Sequence, residues 1–210
     1  DRVKPSNVSI DGNVATLTFP ENGGIKLTLE KDHVAFSWTQ IPNGLKSYRF
    51  DLQLPLSFGE AGSWAIGTKT GTFPKAYKLT KLFQGNAGDF KLTDTAGSSL
   101  CLSFPETFAW TELQDLREWN TQAYGLAVTT PFNADKRLVV VPFGRTSETL
   151  QSIRTAAHAS FSGSGEKSAA IGDTSRFSAS LSDNGLDLDC GSMGKFGLSY
   201  PLLNLGTDDA

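Results

Sequence analysis

Apolar and polar positions alternate with a period of two residues along most of the chain. In the segment YRFDLQL the apolar side consists of Tyr48, Phe50, Leu52 and Leu54, and the polar side consists of Arg49, Asp51 and Gln53. Successive side chains of a strand point to opposite faces of the sheet. This pattern therefore predicts a strand with one buried face and one polar row that meets solvent or a ligand.

Turn signals separate the alternating segments at intervals of about 8–12 residues, which is typical of a sandwich or barrel. Asp11-Gly12 and Asn184-Gly185 are strong hairpin signals, because both central positions of a type I′ turn require positive φ. We therefore expect an all-β fold, an antiparallel β-sandwich of jelly-roll or large-sandwich type. Residues 1–210 are predicted to form a single domain.

Three stretches depart from the alternation. Residues 59–74 are rich in Gly, Ser and Thr, which predicts a long loop in which Trp64 is the indole least expected to be buried. Residues 147–159 place Leu150, Ile153 and Ala157 at helical spacing and predict one short helix. The Ser/Gly-rich run at about 162–175 predicts a flexible connection within the domain.

Composition and charge narrow the classes of partner. The chain has 21 Gly and 14 Phe, with 39% hydrophobic and 20% charged residues, as in a folded β-protein with many turns. The net charge is −3 and no basic cluster is present, so nothing attracts a phosphate backbone or an anionic membrane. No apolar run approaches the roughly 20 residues of a spanning helix. We expect neither a nucleic-acid nor a membrane partner.

The two cysteines leave two alternatives open. Cys101 and Cys190 each lie in a strand-like run. They would form one disulfide between strands in an oxidising compartment, or remain two buried thiols. Neither has a Cys or His partner nearby, which excludes a zinc or redox motif. Because the chain begins at Asp1 without an initiator Met or a signal peptide, we also expect a processed product or a fragment of a longer protein.

The stretch WTELQDLREW, residues 110–119, concentrates side chains suited to recognition. In extended geometry one face would carry Trp110, Glu112 and Gln114, and the other would carry Asp115, Arg117 and Trp119. The C–H face of a sugar packs on an indole while its hydroxyls bond to carboxylate, amide or guanidinium groups. The same sequence also fits an ordinary strand whose indoles lie in the core and whose Asp115 and Arg117 form a surface ion pair.

Catalytic motifs are weak. There is no GxSxG, and His33 and His158 are the only imidazoles, so no Ser-His-Asp triad is indicated. A glycosidase needs two carboxylates across the scissile bond. Glu112 and Asp115 would point to opposite faces of one strand, and the alternative partners for Glu112 are Glu60, Glu106 and Asp51. The residue types of a polysaccharide lyase are present in Tyr48, Tyr124, Arg117, Asn120 and Gln114.

One segment suggests a metal ligand set. The run DNGLDLD supplies oxygen ligands from Asp183, Asn184, Asp187 and Asp189. Calcium takes 6–8 oxygen ligands, but the other positions of an EF-hand loop and its terminal Glu are missing. A hairpin turn flanked by strand aspartates explains the run with fewer assumptions. A structural calcium is the only cofactor we consider.

The meander over nearly the whole length, the stretch WTELQDLREWN and the ending NGLDLDCGSMGKFGLSYPLL together suggest a family. The chain resembles the all-β, Trp-bearing ancillary domains of bacterial polysaccharide-degrading enzymes, either carbohydrate-binding modules or mutarotase-like sandwich domains. The resemblance implies a secreted or extracytoplasmic protein appended to a larger enzyme. It assigns no role to an individual residue.

Our first hypothesis is a non-catalytic carbohydrate-binding domain for a polysaccharide or oligosaccharide. Its candidate contacts are Trp64, Trp110, Glu112, Gln114, Asp115, Arg117 and Trp119. A second hypothesis is a small polysaccharide lyase or glycoside hydrolase. A third is a structural or adhesion sandwich whose tryptophans all lie in the core.

Overall fold

A computed structural model describes residues 2–59, 61–104, 109–161 and 178–206. Within these ranges eighteen strands form two antiparallel sheets of nine strands each, which confirms the predicted all-β sandwich-type fold. The predicted flexible connection at about 162–175 lies outside the described residues.

The strands alternate with short turns along the chain. In order they are β1 (Arg2–Val3), β2 (Asn7–Asp11), β3 (Val14–Phe19), β4 (Gly23–Leu29), β5 (His33–Gln40), β6 (Leu45–Pro55), β7 (Ser63–Ile66), β8 (Lys69–Thr72), β9 (Lys81–Asn86), β10 (Asp89–Thr93), β11 (Ser99–Ser103), β12 (Trp110–Asp115), β13 (Ala123–Pro131), β14 (Leu138–Gly144), β15 (Ser178–Ser182), β16 (Gly185–Asp189), β17 (Lys195–Ser199) and β18 (Leu202–Leu205).

The first sheet, here called sheet I, has the order β15-β16-β17-β6-β13-β12-β9, and β18 also pairs with β6 and with β1. Its central strand is β6, which spans 11 residues. One edge of β6 pairs with β13 along its length, and the other edge pairs with β17 and β18. The second sheet, sheet II, has the order β2-β3-β4-β5-β14-β11-β10-β7-β8.

The hydrophobic core lies between the two sheets. The predicted apolar face of β6 is buried, from Tyr48 to Leu54, whereas Arg49, Asp51 and Gln53 lie on its outer face. Phe36 of β5 and Phe50 of β6 meet across the sandwich with ring centroids 4.8 Å apart. Burying such side chains is the main favourable contribution to folding, at about 25 cal/mol per Å² of apolar surface.

Residues 59–74 are not the long loop that the sequence predicted, since β7 and β8 form a hairpin there. Trp64 lies in β7 and is only 8% exposed, so the expectation that it is accessible is wrong. The reason is local, because a Cβ at Gly71 would lie 2.3 Å from the indole. The small residues that suggested a loop instead leave room for the Trp64 ring.

The predicted helix near 147–159 is confirmed as α2 (Leu150–Phe161). It packs against β14, β11 and β5 and buries Leu150, Ile153 and Arg154. The helices are α1 (Leu56–Gly59) and α2 (Leu150–Phe161), with 3-10 helices at Leu116–Trp119 and Gly191–Met193. Only α2 was expected from the sequence. No helix in the described ranges has the length and apolar character needed to cross a membrane.

The hairpin predicted at Asn184-Gly185 forms, with a register shifted by one residue. Ser182 pairs with Gly185, so Asp183 and Asn184 are the central residues of the turn. Gly185 has a φ of 150°, and a Cβ there would lie 2.1 Å from the carbonyl oxygen of Leu198. Close approach of the neighbouring strand therefore requires glycine at this position.

Candidate functional site

Strand β12 places Trp110, Glu112 and Gln114 on the outer face of sheet I, as the alternation predicted. The intervening positions, among them Thr111 and Leu113, are buried. The Trp110 side chain is 43% exposed, which makes its indole accessible to a ligand. This face is therefore the first candidate for recognition.

Strand pairing adds polar groups on both sides of β12. Glu112 lies opposite Gln84 of β9, whose Nε2 donates a hydrogen bond to Glu112 Oε1 over 2.8 Å. On the other side, Glu112 lies opposite Ala127 of β13, and Ala127 lies opposite Asp51 of β6. A small side chain therefore separates two carboxylates that share one face.

Arg49 and Asp51 form an ion pair on this outer face. Arg49 donates to Asp51 Oδ1 from Nε over 2.8 Å and from Nη2 over 2.6 Å. The backbone N–H of Asp51 donates to Ser199 Oγ over 3.1 Å. Both side chains are partly exposed, so the pair holds two planar polar groups in position without removing them from solvent.

Asp51 was one of three carboxylates that the sequence offered as a partner for Glu112. It lies on the same face, two strands away. The other two, Glu60 and Glu106, lie outside the described residues. The polar row of β6 was visible in the sequence, but its position beside β12 depends on pairing between distant strands.

The second predicted face, with Asp115, Arg117 and Trp119, does not exist. The strand ends at Asp115, whose carboxylate accepts the backbone N–H of Arg117 over 3.2 Å and caps a 3-10 helix, Leu116–Trp119. The helix directs successive side chains to different surroundings. Three of the predicted contacts therefore do not share one surface.

Asp115 and Arg117 form an ion pair in which the Asp115 side chain is fully buried and the Arg117 side chain is 14% exposed, so the pair is directed away from the outer face of β12. Arg117 donates to Asp115 Oδ1 from Nε over 2.8 Å and to Oδ2 from Nη2 over 2.6 Å, and Asp115 is fully buried. The same guanidinium donates to the carbonyl oxygens of Pro74 over 2.9 Å and Lys75 over 2.7 Å. The pair thus fixes the segment after β8 against the end of β12.

Trp119 is the second accessible indole and is 56% exposed. It lies at the end of the 3-10 helix, which Asn120 terminates in the left-handed conformation with a φ of 57°. The preceding Glu118 accepts a hydrogen bond from Thr80, whose hydroxyl also bonds to Tyr77 over 2.8 Å. Trp110 therefore lies at the start of β12, and Trp119 lies beyond the other end of this strand.

The other two indoles are inaccessible. Trp38 and Trp64 both belong to the core, and Trp64 packs against Phe83 with ring centroids 5.9 Å apart. Trp64 is therefore removed from the candidate contacts. Of the four tryptophans, two are core residues and two are presented to solvent.

The two tyrosines considered as lyase bases are both buried. Burial raises the pKa of Tyr48 well above its usual range. The Tyr124 hydroxyl donates to the carbonyl oxygen of Pro74 over 2.7 Å. Neither phenol reaches the outer face of sheet I.

Both cysteines are buried free thiols, so no disulfide joins them in this structure. Cys190 belongs to the core, whereas Cys101 lies opposite the exposed Lys91 on the outer face of sheet II, beneath α2. Burial raises the pKa of Cys101 to about 11 and that of Cys190 to about 12. Thiols with such pKa values are poor nucleophiles at neutral pH.

The residues predicted as calcium ligands do not converge. Asp183 and Asn184 form the turn, Asp187 is exposed on β16, and Asp189 Oδ1 accepts the backbone N–H of Gly191 over 3.0 Å. In the described part of the chain, no three carboxylate, imidazole or thiol groups are clustered so that they would hold a metal ion. The hairpin alone accounts for the aspartate run.

Comparison of the chain with protein-family models, curated proteins and solved structures found no match.

Proposed function

We propose that the protein is a non-catalytic carbohydrate-binding domain that recognises a polysaccharide or oligosaccharide on the outer face of sheet I. We call the proposed surface the glycan face. It comprises Arg49, Asp51, Gln84, Trp110, Glu112 and Gln114. The observation that carries the proposal is the accessible Trp110 indole, which shares this face with carboxylate, amide and guanidinium groups.

The polar groups of the glycan face are held before a ligand arrives. Gln84 fixes the Glu112 carboxylate, and Arg49 fixes the Asp51 carboxylate. Groups that are ordered in advance lose little conformational freedom on binding. Each carboxylate also has further acceptor capacity for sugar hydroxyls, because an ionised carboxylate offers about four lone-pair sites. This arrangement supports binding of hydroxyl-rich rings that stack on Trp110.

Removing the Trp110 indole is the direct test. Trp110→Ala should weaken binding by at least about tenfold, because the stacking surface is lost while the polar groups remain. Affinity electrophoresis in a panel of soluble polysaccharides would find a ligand, and calorimetry would give its affinity. The matched control is Ile10→Ala, which truncates another exposed apolar side chain on β2 of sheet II. If the parent protein is retarded by no glycan, or Trp110→Ala binds as the parent does, the proposal is wrong.

One observation favours a second candidate, an inverting glycoside hydrolase. Glu112 and Asp51 lie two strands apart, about 10 Å between backbones. Inverting enzymes hold their two carboxyl groups about 6.5–9.5 Å apart, a separation that two side chains on backbones this far apart reach by leaning towards each other. Release of reducing sugar from a bound glycan, abolished by Glu112→Gln without loss of binding, would favour catalysis over binding alone.

A further inference from the structure

We propose that the glycan face continues across sheet I as a single trough that ends at β16, and that this trough takes a neutral glycan chain running across the strands. The inference rests on the proposed function and specifies its ligand class and orientation. We call the added part the β16 end of the trough. It is lined by Gln53, Ser178, Ser180, Asp187, Asp189, Lys195 and Gly197.

The strand register places the two parts on one face. Gln53 follows Asp51 by two residues on β6, and it lies opposite Gly197 of β17. Gly197 lies opposite Asp187 of β16. From β12 to β16 the sheet crosses four inter-strand spacings, about 19 Å in total. That length accommodates several pyranose rings.

A depression of about 600 Å³ occupies the β16 end. Its floor includes Gly197, where no heavy atom lies within 4 Å of the position that a Cβ would take. The space above this residue is therefore open to a ligand. The absence of a side chain here lowers the floor between Gln53 and Asp187.

Leu116 fixes the course of the trough. Its side chain lies over Gly125, because a Cβ at Gly125 would be 3.0 Å from Leu116 Cδ1. The direct line from Gln114 to Gln53 is therefore occupied. We therefore place the course over Ala127, which pairs with Glu112 and Asp51, and then past Gln53 to the depression.

The charges at the β16 end disfavour an anionic chain. Asp189 lies opposite Lys195, whose Nζ is 3.8 Å from Asp189 Oδ2, and Asp187 lies opposite Gly197 on the same face. One cation thus accompanies two carboxylates, so a uronate carboxylate there would meet net negative charge. The amide of Gln53 and the hydroxyls of Ser178 and Ser180 suit neutral sugar hydroxyls. Together these groups favour a neutral polysaccharide over a polyuronate.

Filling the depression tests the trough separately from the proposed function. Gly197→Tyr places a ring in open space at a strand position. It should lower affinity for a long neutral oligosaccharide by at least about tenfold and leave the affinity for a disaccharide unchanged. The matched control is Thr16→Tyr, which adds the same ring at an exposed position of β3 in sheet II. Circular dichroism and thermal unfolding would verify that both variants fold.

Ligand charge provides the second measurement. Neutral polysaccharides should bind with an affinity that does not change between low and high salt, because no ion pair is screened. Asp187→Lys should increase the affinity for a polyuronate at low salt. This exposed residue is replaced without a packing change.

The outcomes separate the two claims. Loss of binding in Trp110→Ala with full long-chain affinity in Gly197→Tyr would overturn the trough and leave the proposed function in place. If the parent protein binds polyuronates more tightly than neutral polysaccharides, the proposed neutral ligand class is wrong. Failure of the parent to bind any glycan would overturn both claims.

Discussion

At the scale of single residues, the described part of the chain contains two Arg–Asp pairs with the same sequence spacing and different surroundings. Arg49–Asp51 is partly exposed, whereas Asp115 is fully buried beside Arg117. Exposed ion pairs contribute about 0–1 kcal/mol to stability. Breaking a buried pair leaves an uncompensated charge and costs about 3–5 kcal/mol. The same chemistry therefore has different consequences at the two sites.

We expect Arg117→Ala to lower the free energy of unfolding by about 3–5 kcal/mol. The buried Asp115 carboxylate would lose its counter-ion, and the carbonyls of Pro74 and Lys75 would lose donors. Urea denaturation measures the change. Arg49→Ala is the matched control and should cost no more than about 1 kcal/mol while it weakens glycan binding. Similar losses of stability in both variants would contradict this assignment.

The buried thiols predict a pH dependence of stability. Unfolded thiols ionise near the ordinary pKa of 9.0, whereas the folded pKa values are about 11 for Cys101 and about 12 for Cys190. Between these values the unfolded state has lost protons that the folded state retains. The contribution of the thiols is therefore complete below pH 9 and is lost as pH rises towards 12, at about 1.4 kcal/mol per pH unit for each thiol.

Urea unfolding between pH 8 and pH 10.5, in reducing buffer, would measure this loss. The double variant Cys101→Ala and Cys190→Ala should lose less stability across the same interval. An equal slope in both proteins would show that thiol ionisation does not contribute.

At the scale of elements, alternation predicted β6 and the outer face of β12 correctly, because the alternation of buried and exposed positions within one strand depends only on the local sequence. The 3-10 helix after β12 was missed because its polar and apolar residues also fit an extended pattern. The available signals were Asp115, which caps the helix, and Asn120, which ends it in the left-handed region. Two such residues flanking four positions are a weak indication without the structure.

Helix α2 should be held in place by the packing of its apolar side chains against sheet II, and a substitution tests this. Ile153 is buried against sheet II, so Ile153→Ala should lower the free energy of unfolding by about 2–5 kcal/mol. Chemical denaturation measures the effect. Ser152→Ala lies on the exposed side of the same helix and should change stability by less than about 0.5 kcal/mol. Comparable effects of both substitutions would mean that burial of the apolar face of α2 does not stabilise the fold.

At the scale of the whole molecule, the candidate site depends on contacts that no local pattern encodes. Gln84, Glu112 and Asp51 come from three strands and are brought together by the register of sheet I. The sequence identified Trp110 and its polar neighbours on one strand, and it offered Asp51 as one alternative among three. Choosing it required the pairing of β6 with β13.

The central position of β6 also affects how the protein is made. Its partners are β13, β17 and β18, which are all synthesised after residue 122. At a synthesis rate of about 5–20 residues per second, the aromatic strand Leu45–Pro55 leaves the ribosome on the order of ten seconds before any of them. During that interval its backbone and its Tyr, Phe and Leu side chains lack their native cover. Nascent chains should therefore expose this strand, and depend on chaperones to cover it, until β13, β17 and β18 have been synthesised.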